Sequence, residues 1–302
     1  MKALATLTRI ESAIREATGN AFRITDSRAV SGGDTHRALS VADGRQRYFV
    51  KHGEADTRAM FEAEADGLAA LAATGAMRVP AVIALGADEG GACLVLEHLE
   101  LRPLGSEEDG ERFAHALAQL HANTGEHFGW ARDNFIGRNP QLNTPGQNWS
   151  RFVAEQRIAP QLQWARENGH GGELQRLGAR IVARLPALFL EYRPQASLLH
   201  GDLWYGNAGI SEQGEPTLFD PAVHYGDRES DLAMCELFGG FPARFYSAYR
   251  AASPLNEGYE MRKPLYALYH VLNHLNQHGR GYLGEAERLA ARLDRELGTR
   301  SE

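Results

Sequence analysis

Three polar side chains in the second half of the sequence have types and a spacing that suit phosphoryl transfer. Asp202 and Asn207 lie in a polar segment, HGDLWYGN, that follows a short apolar run, and Asp220 directly follows a second run, TLF. A phosphotransferase needs a carboxylate that accepts the proton of the attacking hydroxyl. It also needs carboxylate or amide oxygens that hold Mg²⁺ on the nucleotide phosphates. Asp202 is therefore the candidate base, and Asn207 and Asp220 are the candidate magnesium ligands.

A lysine and a glutamate in the first hundred residues could complete such a site. Lys51 is one of only three lysines among 32 Lys and Arg residues, and it ends a predicted strand. Its ammonium is a compact charge that can reach a phosphate. Glu64 falls on the apolar stripe of a helix predicted over about 55–73, where a carboxylate is costly unless it is paired. Lys51 is the nearest candidate partner, and a glutamate that extends from the helix edge into water is the alternative.

The order of these residues along the chain favours a kinase-like site over a chance collection of turn residues. The H-x-D-x-x-x-x-N spacing matches the protein-kinase catalytic loop, and Asp220 stands where the aspartate of the D-F-G motif would. Asp, Asn and Gly also form ordinary turns, so a lone H-G-D would carry no weight. Gly32 and Gly33, between two predicted strands, could bring backbone N–H groups to a phosphate, but a hairpin turn explains them equally well. The sequence holds no Walker A motif, dinucleotide fingerprint or G-x-S-x-G elbow.

The composition is that of an ordinary globular protein and excludes several classes. With 43% hydrophobic and 24% charged residues, the chain is neither disordered nor fibrous. Its net charge of −7 argues against a nucleic-acid partner, which requires a basic surface. Cys93 and Cys235 lie in apolar surroundings and are predicted to be buried thiols in a reducing compartment. No apolar leader or long apolar run is present, so we expect a cytoplasmic protein without a membrane partner. A monomer is a separate expectation, which no sequence pattern supports.

Short strand patterns give way to long helical patterns near residue 98. We therefore predict a nucleotide-binding domain over 1–98 and a catalytic, acceptor-binding domain over 99–302. In the second part, Ser106-x-x-Asp109 predicts a helix start. The stretch 124–148, rich in Gly, Asn and Pro, is predicted to be an ordered loop because it also carries aromatic residues. Further helices are predicted near 150–167, 172–192, 229–238, 242–252, 258–278 and 284–297.

Several segments resemble the fructosamine kinase family, also called ketosamine kinases. The most specific are HGDLWYGN at 200–207 and FDPAVHYGDRESDLAM at 219–234, because of the tryptophan in the loop and the D-P-A triplet. This family belongs to the same broad superfamily as the aminoglycoside phosphotransferases and choline kinases. The resemblance covers nearly the whole chain, including SGGDTHRA at 31–38, YFVK at 48–51, MFEAEADGL at 60–68, LEHLE at 96–100, FGWARDNFIGRNPQLN at 128–143 and FGGFP at 238–242.

The resemblance implies an α+β, bilobal protein-kinase-like fold, with a small β-rich N-terminal lobe and a larger, mainly helical C-terminal lobe. It also implies that the protein uses ATP and Mg²⁺. Lys51 would contact the phosphates, and Glu64 would hold that lysine. Glu97, His98 and Leu99 would form the hinge that recognises adenine through backbone groups.

For catalysis and the acceptor, the resemblance implies a protein-bound or free ketoamine that is phosphorylated on its 3-hydroxyl. Asp202 would be the base, and Asn207 and Asp220 would bind the metal. Trp204 would help line the sugar pocket. Asp231 would brace the catalytic loop, because it opens a helix.

Departures from the family pattern leave the acceptor open. The glycine loop reads Gly32-Gly33-Asp34 where some members carry a cysteine, so thiol regulation is not expected there. Phe135 and the segment 278–282 differ from the expected residues, which leaves the sugar undefined. One rival is a phosphotransferase for an aminoglycoside or amino alcohol. Another is a nucleotide-binding pseudokinase, although the complete set of candidate residues argues against it.

Overall fold

The computed structural model describes residues 2–30 and 37–298. The chain forms two compact units, the first made of Met1–Pro103 and Gly209–Pro221, and the second of Leu104–Ala208 and Ala222–Glu302. The predicted boundary lies close to the end of the first segment. However, the first unit also includes a segment from the second half of the sequence, because strands of that segment pair with strands of the first segment. No composition shift marks that pairing.

The secondary structure consists of short strands in the first third and mainly helices afterwards. The strands are β1 (Asp26–Val30), β2 (Arg37–Ala42), β3 (Arg47–Gly53), β4 (Val82–Asp88), β5 (Gly91–Glu97), β6 (Leu101–Arg102), β7 (Asn134–Ile136), β8 (Asn139–Gln141), β9 (Ser197–Leu199), β10 (Ala208–Ser211), β11 (Pro216–Leu218) and β12 (His224–Gly226). The helices are α1 (Lys2–Thr18), α2 (Arg58–Ala73), α3 (Glu107–His121), α4 (Trp149–Val153), α5 (Ala159–Glu167), α6 (Glu173–Arg184), α7 (Glu229–Phe238), α8 (Ala243–Ala252), α9 (Tyr259–His278) and α10 (Leu283–Gly298).

A five-stranded antiparallel sheet, in the order β1-β2-β3-β5-β4, forms the centre of the first unit. Strand β5 is buried along almost its whole length because it pairs on both sides. Ile10 and Ile14 of α1 pack with Phe22 and Val50 in one core cluster. A small second sheet, in the order β11-β10-β6, places Ile210 opposite Arg102 and so attaches the segment from the second half of the chain.

The second unit is mainly helical, and α9 lies at its centre. Leu265, Leu268 and Leu272 of α9 are fully buried in a large apolar cluster. The predicted start of α3 is confirmed: the Ser106 side chain accepts from the Asp109 N–H at 3.0 Å, and the reciprocal bond is 3.3 Å long. The predicted helix at 150–167 is interrupted by one π-helical turn, Ala154–Ile158, between α4 and α5.

Other expectations about the chain can be compared with the structure. Helix α6 ends at Arg184, and a 3₁₀ turn follows over Leu185–Phe189, because Pro186 cannot continue an α-helix. Cys93 and Cys235 are unpaired and buried, as predicted. Burial raises the pKa of the Cys93 thiol to about 11. Within the described part of the chain, no helix is long and apolar enough to cross a membrane.

Candidate active site

The predicted pairing of Lys51 with Glu64 is present in the first unit. Lys51 lies on β3, between Ala38 of β2 and Leu94 of β5, and is only 8% exposed. Its ammonium donates a 2.7 Å hydrogen bond to the Glu64 carboxylate of α2. The pairing explains why a carboxylate occupies the apolar face of this helix, since a buried charge requires a partner.

Asp220 is the second partner of the same lysine. One of its carboxylate oxygens lies 2.5 Å from the Lys51 ammonium. Residues 51, 64 and 220 together are called the lysine cluster below. Asp220 adopts a φ of +57°, the only positive φ of a non-glycine residue in the described part of the chain. Such a backbone costs free energy and persists where surrounding contacts require it, commonly at functional sites.

Burial and charge act in opposite directions on the lysine cluster. Burial alone would lower the pKa of Lys51, but the charges of Asp220 and Glu64 outweigh burial and raise that pKa above its usual value. Burial raises the pKa of Glu64 to about 7, against the opposing effect of Lys51. The cluster therefore keeps a charged ammonium in a largely desolvated position, where it can contact an anionic group.

The predicted hinge residues lie at the end of β5. The Glu97 carboxylate accepts hydrogen bonds from the Arg78 guanidinium and from the Ala81 N–H, the latter at 3.1 Å. His98 and Leu99 are half-buried, and the His98 imidazole lies 3.6 Å from a Glu100 carboxylate oxygen. The Glu97 side chain is thus committed to local structure, so a role in recognising adenine would fall to backbone groups. Gly32 and Gly33 lie outside the described residues.

The catalytic loop, defined as residues 200–207, belongs to the second unit and brings Asp202 and Asn207 together. The Asn207 amide nitrogen donates to the Asp202 carbonyl at 2.9 Å and to its carboxylate at 3.3 Å. Because the amide nitrogen is engaged in this way, the carbonyl oxygen is the atom that Asn207 can offer to a cation. Trp204 is 40% exposed, and its ring covers Gly206 so closely that a Cβ there would lie 2.2 Å from it.

Asp231 braces this loop, as the resemblance implied. Its carboxylate accepts from the His200 N–H at 2.8 Å and from the Gly201 N–H at 2.9 Å. A third contact comes from the imidazole of His121 at 3.2 Å, so this histidine is a packed structural residue. Gly201 has a φ of +83°, and a Cβ on it would lie 2.0 Å from the Ala222 carbonyl oxygen. Only glycine satisfies both conditions.

A buried ionic network next to Asp231 was missed by the sequence analysis. The Arg262 guanidinium of α9 forms two 2.7 Å hydrogen bonds with Glu229 and lies 3.7 Å from the centre of the Tyr192 ring. The Asp227 carboxylate accepts from the hydroxyls of Tyr192 and Tyr266 at 2.9 and 2.6 Å. The signal was the charged run DRE at 227–229, whose last residue begins α7. Its partners lie far away in sequence and have no motif of their own.

Asp220 in the first unit and Asn207 in the second each carry an oxygen donor of the kind that suits Mg²⁺. Mg²⁺ prefers hard oxygen ligands and is usually held by one or two protein groups plus phosphate oxygens. Asp220 supplies a carboxylate, and Asn207 can supply an amide oxygen. Among the described residues, no group of three or more His, Cys, Asp or Glu side chains could hold a metal ion.

Comparison with solved structures defines the class of fold. The chain superposes on the crystal structure of a thermostable mutant of the aminoglycoside phosphotransferase APH(4)-Ia with a TM-score of 0.62. The match covers 96% of this chain and 98% of that chain at 18% sequence identity. The predicted α+β protein-kinase-like fold is therefore confirmed.

The chain belongs to the fructosamine kinase family, whose model matches residues 6–296. It is 45% identical over 282 residues to a named ketoamine kinase of Synechocystis sp., covering 93% of this chain and 94% of that protein. It also matches the crystal structure of a protein assigned as a fructosamine-3-kinase from Haemophilus somnus 129PT, with a TM-score of 0.88 and 32% identity over 95% of this chain and 97% of that one. The predicted family and the prediction of an ATP-dependent phosphotransferase are confirmed.

Proposed function

We propose that the protein transfers the γ-phosphoryl group of ATP to the 3-hydroxyl of a ketoamine, a fructosamine or a ribulosamine. The observation that carries this proposal is the family match over residues 6–296. The named activities of the relatives supply the ketoamine and the position of the hydroxyl. The hydrogen-bonded pair of Asp202 and Asn207 in the catalytic loop supports the chemistry, since it joins a base and a metal ligand in one short segment.

Each candidate residue then has a role that its position supports. Asp202 accepts the proton of the acceptor hydroxyl as its oxygen bonds to the γ-phosphorus, the bond from that phosphorus to the bridging oxygen breaks, and ADP leaves. Lys51, fixed by Glu64, binds nucleotide phosphate oxygens. Asn207 and Asp220 would hold the magnesium ion, which would neutralise charge on the phosphates.

The remaining predicted residues surround the nucleotide and the acceptor in this proposal. Backbone groups of Glu97, His98 and Leu99 recognise adenine. Gly32 and Gly33, which lie outside the described residues, stay predicted phosphate-binding residues. The exposed Trp204 offers an aromatic face to the sugar or to its ammonium group, two residues from the base.

Charge favours a cationic acceptor. The chain carries a net charge of −7, and the proposed base and metal ligand are carboxylates. A ketoamine has a secondary amine that is protonated at neutral pH, so it is attracted by a field that repels an anionic sugar phosphate. The charge argument selects a class of acceptor only. The assignment of the phosphate to the 3-hydroxyl depends entirely on the named activities of the relatives.

The experiment is a phosphorylation screen with Mg-ATP and fructosyl-lysine, ribulosyl-lysine, an aminoglycoside and an amino alcohol. We expect transfer to a ketoamine, with the phosphate located on the 3-hydroxyl by NMR. A phosphate on the carbon next to the carbonyl should also be eliminated spontaneously as inorganic phosphate. Water then hydrolyses the resulting imine and releases free lysine and a dicarbonyl sugar, which is deglycation. Transfer to the aminoglycoside without activity on any ketoamine would contradict the proposal and support the rival activity.

Three further predictions about the enzyme accompany this function. We expect the kinase activity to depend on Mg²⁺, so EDTA should abolish it. A single chain in solution is expected, and light scattering after gel filtration measures it. Location in the cytoplasm stays a prediction, and fractionation of the source cells tests it.

A further inference from the structure

The long loop at 124–148 contains a buried network of amide side chains whose purpose the candidate active site leaves open. Asn134 and Gln141 lie opposite each other on β7 and β8, and Asn143 follows closely. All three are at most 4% exposed. Buried amides are costly unless their donors and acceptors are satisfied, so a cluster of three requires a reason.

Gln141 is the centre of this network, and both ends of its amide are engaged. Its nitrogen donates to the Asn134 amide oxygen at 2.8 Å and to the Ala222 carbonyl at 3.0 Å. Its oxygen accepts from the Tyr269 hydroxyl of α9 at 2.8 Å. Asn134 in turn donates to the Val223 carbonyl at 2.7 Å. Two consecutive carbonyls, at 222 and 223, are therefore held by side chains of the long loop.

Ala222 connects this network to the catalytic loop. Its N–H donates to the His200 carbonyl at 2.8 Å, and its own carbonyl lies against Gly201. The His200 imidazole lies 3.3 Å from the Asp202 N–H. A displacement of Ala222 would therefore act on the backbone that carries Asp202, through the hydrogen bond to the His200 carbonyl and the close approach to Gly201.

A buried arginine holds the other side of the network. Arg157, in the π-helical turn, is 3% exposed and donates to the Leu142 carbonyl and, at 2.8 Å, to the Asn143 amide oxygen. Its guanidinium lies 4.7 Å from the centre of the Phe152 ring and 5.6 Å from that of Tyr269. Burial lowers the pKa of Arg157 to about 10. Burying the Arg157 cation costs free energy, and its hydrogen bonds fix residues 142–143, directly after Gln141.

We propose that Gln141 is a positioning residue for phosphoryl transfer: it holds the Ala222 carbonyl and thereby sets the position of the catalytic loop. This inference rests on the proposed function, because it takes Asp202 as the base. Gln141 does not contact the reacting atoms in this proposal. A residue of this kind should affect kcat through the geometry of the base, while the binding of ATP stays unchanged.

The primary test is Gln141→Glu, which keeps the shape of the side chain and replaces the donor amide by an oxygen. At neutral pH the new carboxylate faces two acceptor oxygens, so we expect kcat for the ketoamine to fall by about tenfold to a hundredfold. The KM for ATP should stay within about twofold. At lower pH a protonated carboxyl can donate to Ala222 again, so the ratio of variant to wild-type kcat should rise as pH falls. The matched control is Gln147→Glu on the exposed part of the same loop, which should leave kcat unchanged.

A second variant keeps the inference testable where Gln141→Glu does not fold. Gln141→Met removes the amide that holds the Ala222 carbonyl without adding a charge, and we expect a smaller fall in kcat with the same unchanged KM for ATP. The inference is overturned if a folded variant keeps wild-type kcat, or if kcat and ATP affinity fall together. A wild-type protein that phosphorylates no ketoamine contradicts the proposed function instead, so the two failures are distinguishable.

Discussion

Asp231 accepts hydrogen bonds from the backbone N–H groups of both His200 and Gly201, at 2.8 and 2.9 Å. One buried carboxylate thus fixes two successive peptide groups at the start of the catalytic loop. Burial would raise the pKa of Asp231, but its hydrogen bond with His121 and the other contacts hold that pKa below its usual value. The aspartate is therefore ionised whenever the enzyme is folded near neutral pH.

Replacing this carboxylate by an amide should loosen the loop. In Asp231→Asn, one of the two N–H groups faces an NH₂ group instead of an acceptor, which leaves a buried donor unsatisfied. We expect the free energy of unfolding to fall by about 1–3 kcal/mol. Urea denaturation measures this change, and steady-state kinetics should show a lower kcat at temperatures where the variant is folded.

Asp43 offers a matched control for that substitution. Its carboxylate also accepts from two backbone N–H groups, those of Arg45 and Gln46, both at 2.8 Å, in an exposed turn. Water can satisfy the groups that Asp43→Asn releases, so kcat should stay at the wild-type value. Equal effects of the two substitutions on kcat would show that Asp231 has no special part in holding the loop.

Asp202→Asn should abolish most of the turnover. The asparagine preserves the size of the side chain but cannot accept the hydroxyl proton, and a positioned base contributes about 10² to 10⁴ in rate. We expect kcat to fall at least about a hundredfold while the Kd for ATP, measured by calorimetry, stays nearly unchanged. The control is Glu212→Gln, at an exposed position. Near-normal turnover of Asp202→Asn would remove this residue from the chemistry.

Lys51→Arg conserves charge and should still inactivate the enzyme. The ammonium lies 2.7 Å from Glu64 and 2.5 Å from Asp220, and a planar guanidinium is too large for that space. We expect kcat to fall by about a hundredfold. Lys263→Arg is the control, because Lys263 is more exposed and pairs with Glu236 and Glu260. If both arginine variants are fully active, Lys51 has no role that requires a lysine.

The raised pKa of Glu64 predicts how stability depends on pH. Its pKa is about 7 in the folded protein and close to the ordinary value of 4.5 when the chain is unfolded. An acidic group whose pKa is raised on folding stabilises the folded state at pH values below its pKa in the unfolded chain. That contribution is lost as the pH rises through its pKa in the folded protein. Glu64→Gln lacks this titration. The free energy of unfolding of the wild type, relative to Glu64→Gln, should therefore decrease between about pH 5 and pH 8. Chemical denaturation across this range measures it, and an increase would contradict the assigned shift.

Much of the candidate active site could be predicted from the sequence because its parts are local. Lys51 and Glu64 were identified by a strand end and a helix stripe, and Asp202 and Asn207 by their spacing within one loop. Such patterns can be recognised in the sequence, because the periods of helices and strands place residues that are close in sequence on defined faces. The helical second half and the strand-rich beginning were visible for the same reason.

Only the tertiary structure decided what holds those parts in place. Gln141 contacts Ala222, Asp220 contacts Lys51, and Arg262 contacts Glu229, each pair far apart in the sequence. Asn and Gln in a glycine-rich stretch indicate a surface loop by composition, whereas here they form a buried and satisfied network. The sequence determined which side chains can do the chemistry, because their types and local spacing carry it. The fold decided which distant polar groups satisfy one another away from water, because hydrogen bonds between buried side chains depend on three-dimensional contact and leave no periodic pattern.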